Sequence, residues 1–256
     1  MIYFMEFVLY GLVFMMGAAV FSFLNVVIYR VPRNLSFVGG RSFCPNCKTK
    51  LRGVDMVPVV SFLLLGGKCH TCKTKISIRY LGMECLGGVL AVLTVLEFPA
   101  TLQAVTAFAF LSCATVVALV DWDTMEIPNG FVLATGICGL AAIFVVPDVY
   151  LLERIIGVIS VSVPLLLMTL AIPGAFGGGD IKWMAACGLF LGWKMNLLTL
   201  FLAVLTGGIY GGYLLVTKKK GRKEHFAFGP FLCMAAGIVL FAGEDILTWY
   251  LGFLIH

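Results

Sequence analysis

This sequence is poor in charge. Only 12% of its 256 residues are Asp, Glu, Lys or Arg, about half the share in a soluble domain, while 61% are hydrophobic. With a mean hydropathy of +1.04, that balance excludes an ordinary water-soluble globule. The first apolar run has no basic leading region and no small-residue cleavage site at its end, which predicts a retained helix rather than a removed signal. No Gly-interrupted segment recurs in a second half of the chain, as the repeats of many secondary transporters require. A Gly-rich dinucleotide-type fingerprint is also missing, so the sequence does not locate a nucleotide-like cofactor.

What the chain does have is long apolar runs. Seven are of spanning length, at about 4–29, 81–98, 102–120, 130–147, 155–172, 196–216 and 229–252. An eighth, 181–193, is short and follows three glycines. The expectation is an all-α polytopic membrane protein with about eight transmembrane segments. Of the 18 Lys and Arg residues, ten lie between Arg30 and Arg79 and five between Lys218 and Lys223. Lys182 joins them on one side if all eight segments span, and only Arg154 and Lys194 fall opposite. The positive-inside rule then puts the N terminus outside, residues 30–80 in the cytoplasm and the C terminus outside. Without the eighth segment the Lys218–Lys223 cluster would move outside, so the charges favour eight. This topology accounts for the net charge of +5 and calls for no nucleic-acid partner. Asp148, Glu153 and Arg154 are expected to be solvated in a short outer loop.

Residues 30–80 form the one soluble island. They carry "CPNC" (Cys44, Cys47) and "CHTC" (Cys69, Cys72), two pairs separated by 21 residues. A two-residue gap lets both thiolates of a pair reach one ion, and two pairs close the tetrahedral four-sulfur shell that structural zinc prefers. Disulfides do not suit a reducing cytoplasm. His70 could replace one cysteine, but four already fill the shell. Such a closed site has no open position for substrate, so it holds a small cytoplasmic zinc-binding domain together, with a basic rim suited to anionic lipid headgroups. Cys85, Cys113, Cys138, Cys187 and Cys233 stand singly in apolar helices and pack as small hydrophobes.

Ionisable groups in or near the bilayer are costly and point to function by default. The candidates are Glu84, Asp121, Asp123, Glu126, Asp180, Lys182, Glu244 and Asp245. Glu84 reads as an interfacial residue, and Glu244 and Asp245 have no assigned role. That leaves "ALVDWDTMEIPN" (118–129) and "FGGGDIKW" (176–183), both at cytoplasmic helix ends under the topology above. Asp121 and Asp180, 59 residues apart, can meet at one depth. Two close carboxyls share a proton, so one activates water while the other protonates a carbonyl, as in aspartic proteases. Gly177, Gly178 and Gly179 would let the chain unwind beside a cavity and let a substrate backbone approach. Residues two apart on a helix point about 200° away from each other, so Asp121 and Asp123 cannot both serve.

"FGGGDIK" resembles the GxGD motif of the type IV prepilin peptidases, and "DWDTMEIPN" is similar to that family's first aspartate motif. "SFLNVVIYRVPR" (22–33), the two cysteine pairs, "VPVVSFLLLGGKC" (57–69), "ISIRYLGMECLGG" (76–88) and "AFGPFL" (227–232) match as well. Small departures are Leu81 and Gly82 after Tyr80, and Ala227. The resemblance implies an aspartyl endopeptidase that removes a basic leader from prepilins or pseudopilins at the cytoplasmic face of a bacterial inner membrane. It favours Asp121 over Asp123, by the offset from Ile127–Pro128. It also implies N-methylation of the new N terminus with S-adenosylmethionine. The domain expectation is a first transmembrane helix (1–29), a zinc domain (30–80) and a transmembrane aspartyl peptidase domain (81–256). The alternative is a proton- or metal-coupled transporter. A non-enzymatic zinc-bearing scaffold would leave both acidic motifs unexplained.

Overall fold

A computed structural model describes residues 1–36, 43–44, 46–98, 101–217 and 226–255. Arg41, Pro45 and the Lys218–Lys223 cluster lie outside the described residues. All eight apolar segments are helical. In chain order the helices are α1 (Ile2–Arg30), α2 (Val60–Leu64), α3 (Ile78–Glu97), α4 (Thr101–Thr124), α5 (Asn129–Val145), α6 (Leu151–Ala171), α7 (Gly178–Leu191), α8 (Trp193–Val216) and α9 (Gly229–Ile255). The only β pairing among the described residues is two isolated bridges, Phe43 with Lys50 and Lys68 with Lys75.

Among the described residues six helices are long and apolar enough to cross a membrane: α1, α3, α4, α6, α8 and α9. α5, at 17 residues, is a shorter apolar helix. α7 has only 14 residues, which is about 21 Å against a hydrocarbon core of about 30 Å. Local chemistry sets the helix ends. Asn34, in left-handed conformation, closes the turn after α1, and Ser77 Oγ accepts from the Arg79 N–H at the start of α3. Gly192 at φ +77° separates α7 from α8, a conformation that favours glycine.

The chain divides into two compact units, Met1–Ala104 and Val105–His256. In the first, α1 packs on α3 through small residues. Gly17 meets the backbone of Gly87 and the side chain of Ala91, leaving no room for a Cβ. This contact holds α3 with α1 inside the first unit.

In the second unit α7 is the buried centre. Trp183, Met184, Cys187 and Gly188 face neighbours on all sides. Gly157 of α6 and Gly188 of α7 touch backbone to backbone. Phe190 stacks on Phe110 of α4 at 4.2 Å between centroids. Asn196 of α8 donates to Gly157 O at 3.0 Å and Met184 O at 3.1 Å.

Arg154 departs from expectation. It is 0% exposed, not solvated in an outer loop. Its Nη1 donates to Leu189 O (3.0 Å) and Phe190 O (2.7 Å), its Nη2 to Ala142 O and Val146 O (3.0 Å each), and its Nε to Val149 O (3.3 Å). All five guanidinium N–H groups are therefore used. The acceptors are the last carbonyls of α5 and α7 and the turn before α6, where a cation also meets the negative ends of two helix dipoles. The adjacent Glu153 pairs instead with Lys194 at 3.3 Å.

Removing this guanidinium takes a donor from carbonyls at the ends of two helices. Arg154→Met should cost about 3 kcal/mol or more, read as a large drop in melting temperature in detergent, with Arg154→Lys intermediate. Equal melting of all three proteins would contradict this account of the second unit.

Candidate active site and metal centre

Asp121 sits in the last turn of α4. That helix ends where Thr124 bonds back to Val120 O (2.8 Å) and accepts from the Glu126 N–H (3.3 Å), followed by Met125 at φ +57°. The Asp121 carboxyl is 5% exposed, and its Oδ2 accepts the N–H of Gly229, the first residue of α9, at 2.9 Å. A Cβ at Gly229 would lie 2.7 Å from that oxygen, so the position needs glycine.

Asp180 is the third residue of α7 and is 8% exposed. Its Oδ2 accepts from the Gly177 N–H at 3.2 Å, one of the orphan donors of a helix start. Its Oδ1 is buried and has no partner among the described residues. Asp121 and Asp180 are both buried in the second unit, and Phe176, four residues before Asp180, meets Phe228, the neighbour of Gly229, at 5.8 Å between ring centroids.

The three glycines differ in purpose. Gly179 packs against Ile127, where a Cβ would come within 2.8 Å. Gly177 supplies the N–H that Asp180 accepts. Gly178 faces open space. None of them has positive φ, and close approach accounts for Gly179.

The other candidates are dispersed. Asp123 and Glu126 are exposed, and so are Glu244 and Asp245 on α9. Lys182 Nζ donates to Asn129 Oδ1 at 3.3 Å, tying α7 to the start of α5. Glu84 belongs to the first unit. Trp122, next to Asp121 in the chain, joins an aromatic cluster in which Tyr210 meets Trp122, Phe226 and Phe231 at 5.9, 6.0 and 5.3 Å. Sequence reasoning missed Gly229 and Arg154. The Gly-Pro step opening α9 was a signal for the first, because it marks a helix start with an unfilled N–H.

The four cysteines converge as their spacing predicts. Cys44, Cys47, Cys69 and Cys72 are unbonded, and their sulfurs all lie within 4.8 Å of one another. Cys44–Cys72 and Cys47–Cys69 are 3.8 and 4.0 Å apart. A tetrahedral ion with bonds of about 2.3 Å needs sulfurs about 3.8 Å apart, so the cluster fits such an ion.

The two cysteine loops are built alike. In each, the first cysteine N–H donates to a threonine carbonyl five residues on, Thr49 (3.0 Å) or Thr74 (2.9 Å). Its carbonyl accepts from Lys48 (2.9 Å) or Lys73 (3.0 Å), and both lysines adopt positive φ. The repeat CxxCKTK was readable in the sequence. Thr74 and Asn46 surround Cys72, with Thr74 Oγ1 3.3 Å and Asn46 Nδ2 3.7 Å from its sulfur, and they push its thiol down to about 5. His70 turns away from the cluster: its Nδ1 meets Asp55 Oδ2 at 3.3 Å, and the neighbouring Arg52 holds that carboxyl below the usual range.

Two family models cover most of the chain. Residues 15–98 match the bacterial Peptidase A24 N-terminal domain, and residues 108–212 match the type IV leader peptidase family. The prepilin leader peptidase/N-methyltransferase of Legionella pneumophila is 32% identical, covering 96% of this chain and 95% of the relative. This chain belongs to the type IV leader peptidase family. The proteins of the same name from Bacillus subtilis (29%; 94% and 97% covered) and Pseudomonas aeruginosa (30%; 93% and 92% covered) are similar over nearly their whole lengths. No solved structure matches the chain.

Protein purified without chelator should carry one thiolate-bound metal ion per chain by elemental analysis. Any single Cys→Ser change in the cluster should remove most of it. Asn46→Ala and Thr74→Val should weaken metal binding about 10–100-fold, because they remove the groups that steady Cys72. Metal-free wild-type protein with an intact first unit would refute the site.

Proposed function

We propose that this chain is a membrane aspartyl endopeptidase that cleaves the basic leader from prepilins or pseudopilins and then N-methylates the new N terminus. Asp121 and Asp180 are the catalytic pair. The observation that carries this reading is the burial in one unit of two carboxyls from separate helices, each accepting a helix-start N–H, one of them with an oxygen that has no partner among the described residues. A water between them loses a proton to one carboxylate as its oxygen attacks the scissile carbonyl carbon. The other, protonated, gives its proton to the carbonyl oxygen. Collapse of the tetrahedral intermediate breaks the C–N bond, and the departing amine takes a proton back from the pair. The Gly229 and Gly177 N–H groups keep the two carboxyls oriented. The exposed Asp123 and Glu126 add negative charge near this site for a basic leader.

Methyl transfer uses S-adenosylmethionine as donor. The cysteine cluster holds structural zinc and keeps the first unit folded. The enzyme sits in the bacterial inner membrane as a multi-pass protein, with N and C termini outside and both sites on the cytoplasmic side, where the Lys and Arg residues gather against anionic lipid. Nothing in the site favours the transporter alternative, since both domain models are peptidase models.

Asp121→Asn and Asp180→Asn should each lower cleavage of a prepilin by at least about 100-fold, followed as the mass loss of the leader. Asp123→Asn should still cut, with weaker capture of the leader. An inactive Asp123→Asn beside an active Asp121→Asn would reverse the assignment. Asp180→Asn should also go on methylating a substrate that has already lost its leader, and loss of both activities in that folded variant would argue for one shared site.

A further inference from the structure

The first unit contains five acidic or histidine side chains, Glu6, Asp55, His70, Glu84 and Glu97. Four of them are unsuited to amine chemistry beside the cysteine cluster. Glu6 is in the first turns of α1 and Glu97 ends α3, both exposed and both at the helix ends away from the cysteine loops. Asp55 is held by Arg52 and His70. His70 has both ring nitrogens occupied, with Nδ1 on Asp55 and Nε2 3.0 Å from the Thr71 hydroxyl.

Glu84 is different. It is half-buried in the second turn of α3, and its Oε2 accepts the Val59 N–H at 2.7 Å. Its Oε1 has no partner among the described residues. The Val59 turn is itself unusual. The Val60 N–H donates to Pro58 O at 2.6 Å across a three-residue turn, which puts Val59 at φ +61° and ψ −53°. A β-branched residue at positive φ is a real outlier, and such strain persists only where the surroundings over-determine it. Glu84 holds this turn through the Val59 N–H.

Two further groups belong to the same level. Tyr80 stands four residues before Glu84, on the same face of α3, and is 44% exposed. An aromatic face is a recognition element for an onium cation. α1 and α3 are consecutive spans joined by a loop that holds no span, so they run in opposite directions and cross at Gly17 with Gly87 and Ala91. Asn25 lies two turns beyond Gly17, about 12 Å along α1. The same distance back along α3 ends between Tyr80 and Glu84. Asn25 is 8% exposed, and its Nδ2 is buried with no partner among the described residues. A buried, unsatisfied amide is rare in a native protein and marks a place where a ligand or water completes the bonding.

From this constellation we infer that Glu84, Tyr80 and Asn25, with the strained Val59 turn, form the methyl-transfer site: Glu84 receives the newly exposed α-amine, and Tyr80 faces the sulfonium donor. The inference rests on the methyltransferase reading above. It also agrees with the division of the chain, since Asp121 and Asp180 both fall in the match to the leader peptidase family and Glu84 falls in the separate N-terminal match. In the reaction the α-ammonium gives one proton to Glu84 Oε1. The amine lone pair forms the new N–C bond to the donor methyl, and the C–S bond breaks with its electron pair left on sulfur. The sulfonium becomes a neutral thioether, and the product is a secondary ammonium. Glu84 then releases its proton to water.

The test uses the full-length protein in detergent, a pilin segment already lacking its leader, and S-adenosylmethionine with a labelled methyl group. Glu84→Gln keeps an acceptor for the Val59 N–H but loses the base, so methyl transfer should fall at least about 100-fold. Glu84→Asp should recover part of that loss, whereas a merely structural role would favour the glutamine. Tyr80→Leu should raise the donor KM more than it lowers kcat. If wild-type protein transfers no methyl group, the methyltransferase reading falls. If wild type is active and Glu84→Gln matches it, only the placement is overturned. Photolabelling of wild-type protein by the donor, mapped by mass spectrometry, decides the matter even if the variants lose their metal. Label in the peptides around Asn25, Val59 or Tyr80–Glu84 supports the site, and label confined to Val105–His256 overturns it.

Discussion

Inside a bilayer no water is available to satisfy a free backbone N–H or C=O, so every helix that ends at depth must find its partners within the protein. α7 is the helix on which this constraint falls hardest, because its 14 residues cannot reach both interfaces. At its C-terminal end the guanidinium of Arg154 takes the Leu189 and Phe190 carbonyls. At its N-terminal end the Asp180 carboxylate takes the Gly177 N–H. One buried cation and one buried carboxyl thus complete the two ends of the same short helix. The backbone contact of Gly157 with Gly188 and the Phe110–Phe190 stack fix its middle.

Seen this way, the candidate catalytic pair follows from helix-end chemistry. Asp180 is buried because α7 begins inside the packed second unit. Asp121 is stabilised at comparable burial because a second helix, α9, also begins beside it and offers the Gly229 N–H. Among the described residues each carboxyl accepts a backbone N–H through one oxygen, and the second oxygen of Asp180 has no partner. An acid fully wrapped in hydrogen bonds would be a structural cap and nothing more.

The first unit is organised on different physics. Its loop is too small to be stabilised by an apolar core alone, and it exposes Leu63, Leu64, Val54 and Ile78. Four convergent thiols, the matched cysteine loops and the Arg52–Asp55–His70 chain supply the missing order. Glu84 links this loop to α3 through the Val59 N–H, a half-buried polar contact between the loop and the helix.

Much of this was legible in the residues themselves. Spanning helices are written as continuous apolar runs, and every expected segment is helical. Each half of the cysteine cluster follows from local spacing, because a two-residue gap within one turn already brings two thiols together. Both aspartate motifs stood out because charge is rare in an apolar chain. What stayed hidden depends on partners far apart in sequence. Arg154 looked like a loop cation, since its acceptors on α7 lie 35 and 36 residues away. His70 looked like a spare ligand until Asp55 claimed it. Which atom steadies Asp121 was decided by a glycine 108 residues downstream, and which glycine of the 177–179 run is sterically required was decided by Ile127. Composition and spacing determine where apolar, thiol and acidic groups stand along the chain. Only packing determines which buried donor meets which buried acceptor, because that pairing is set by the three-dimensional approach of helices and leaves no periodic mark in the sequence.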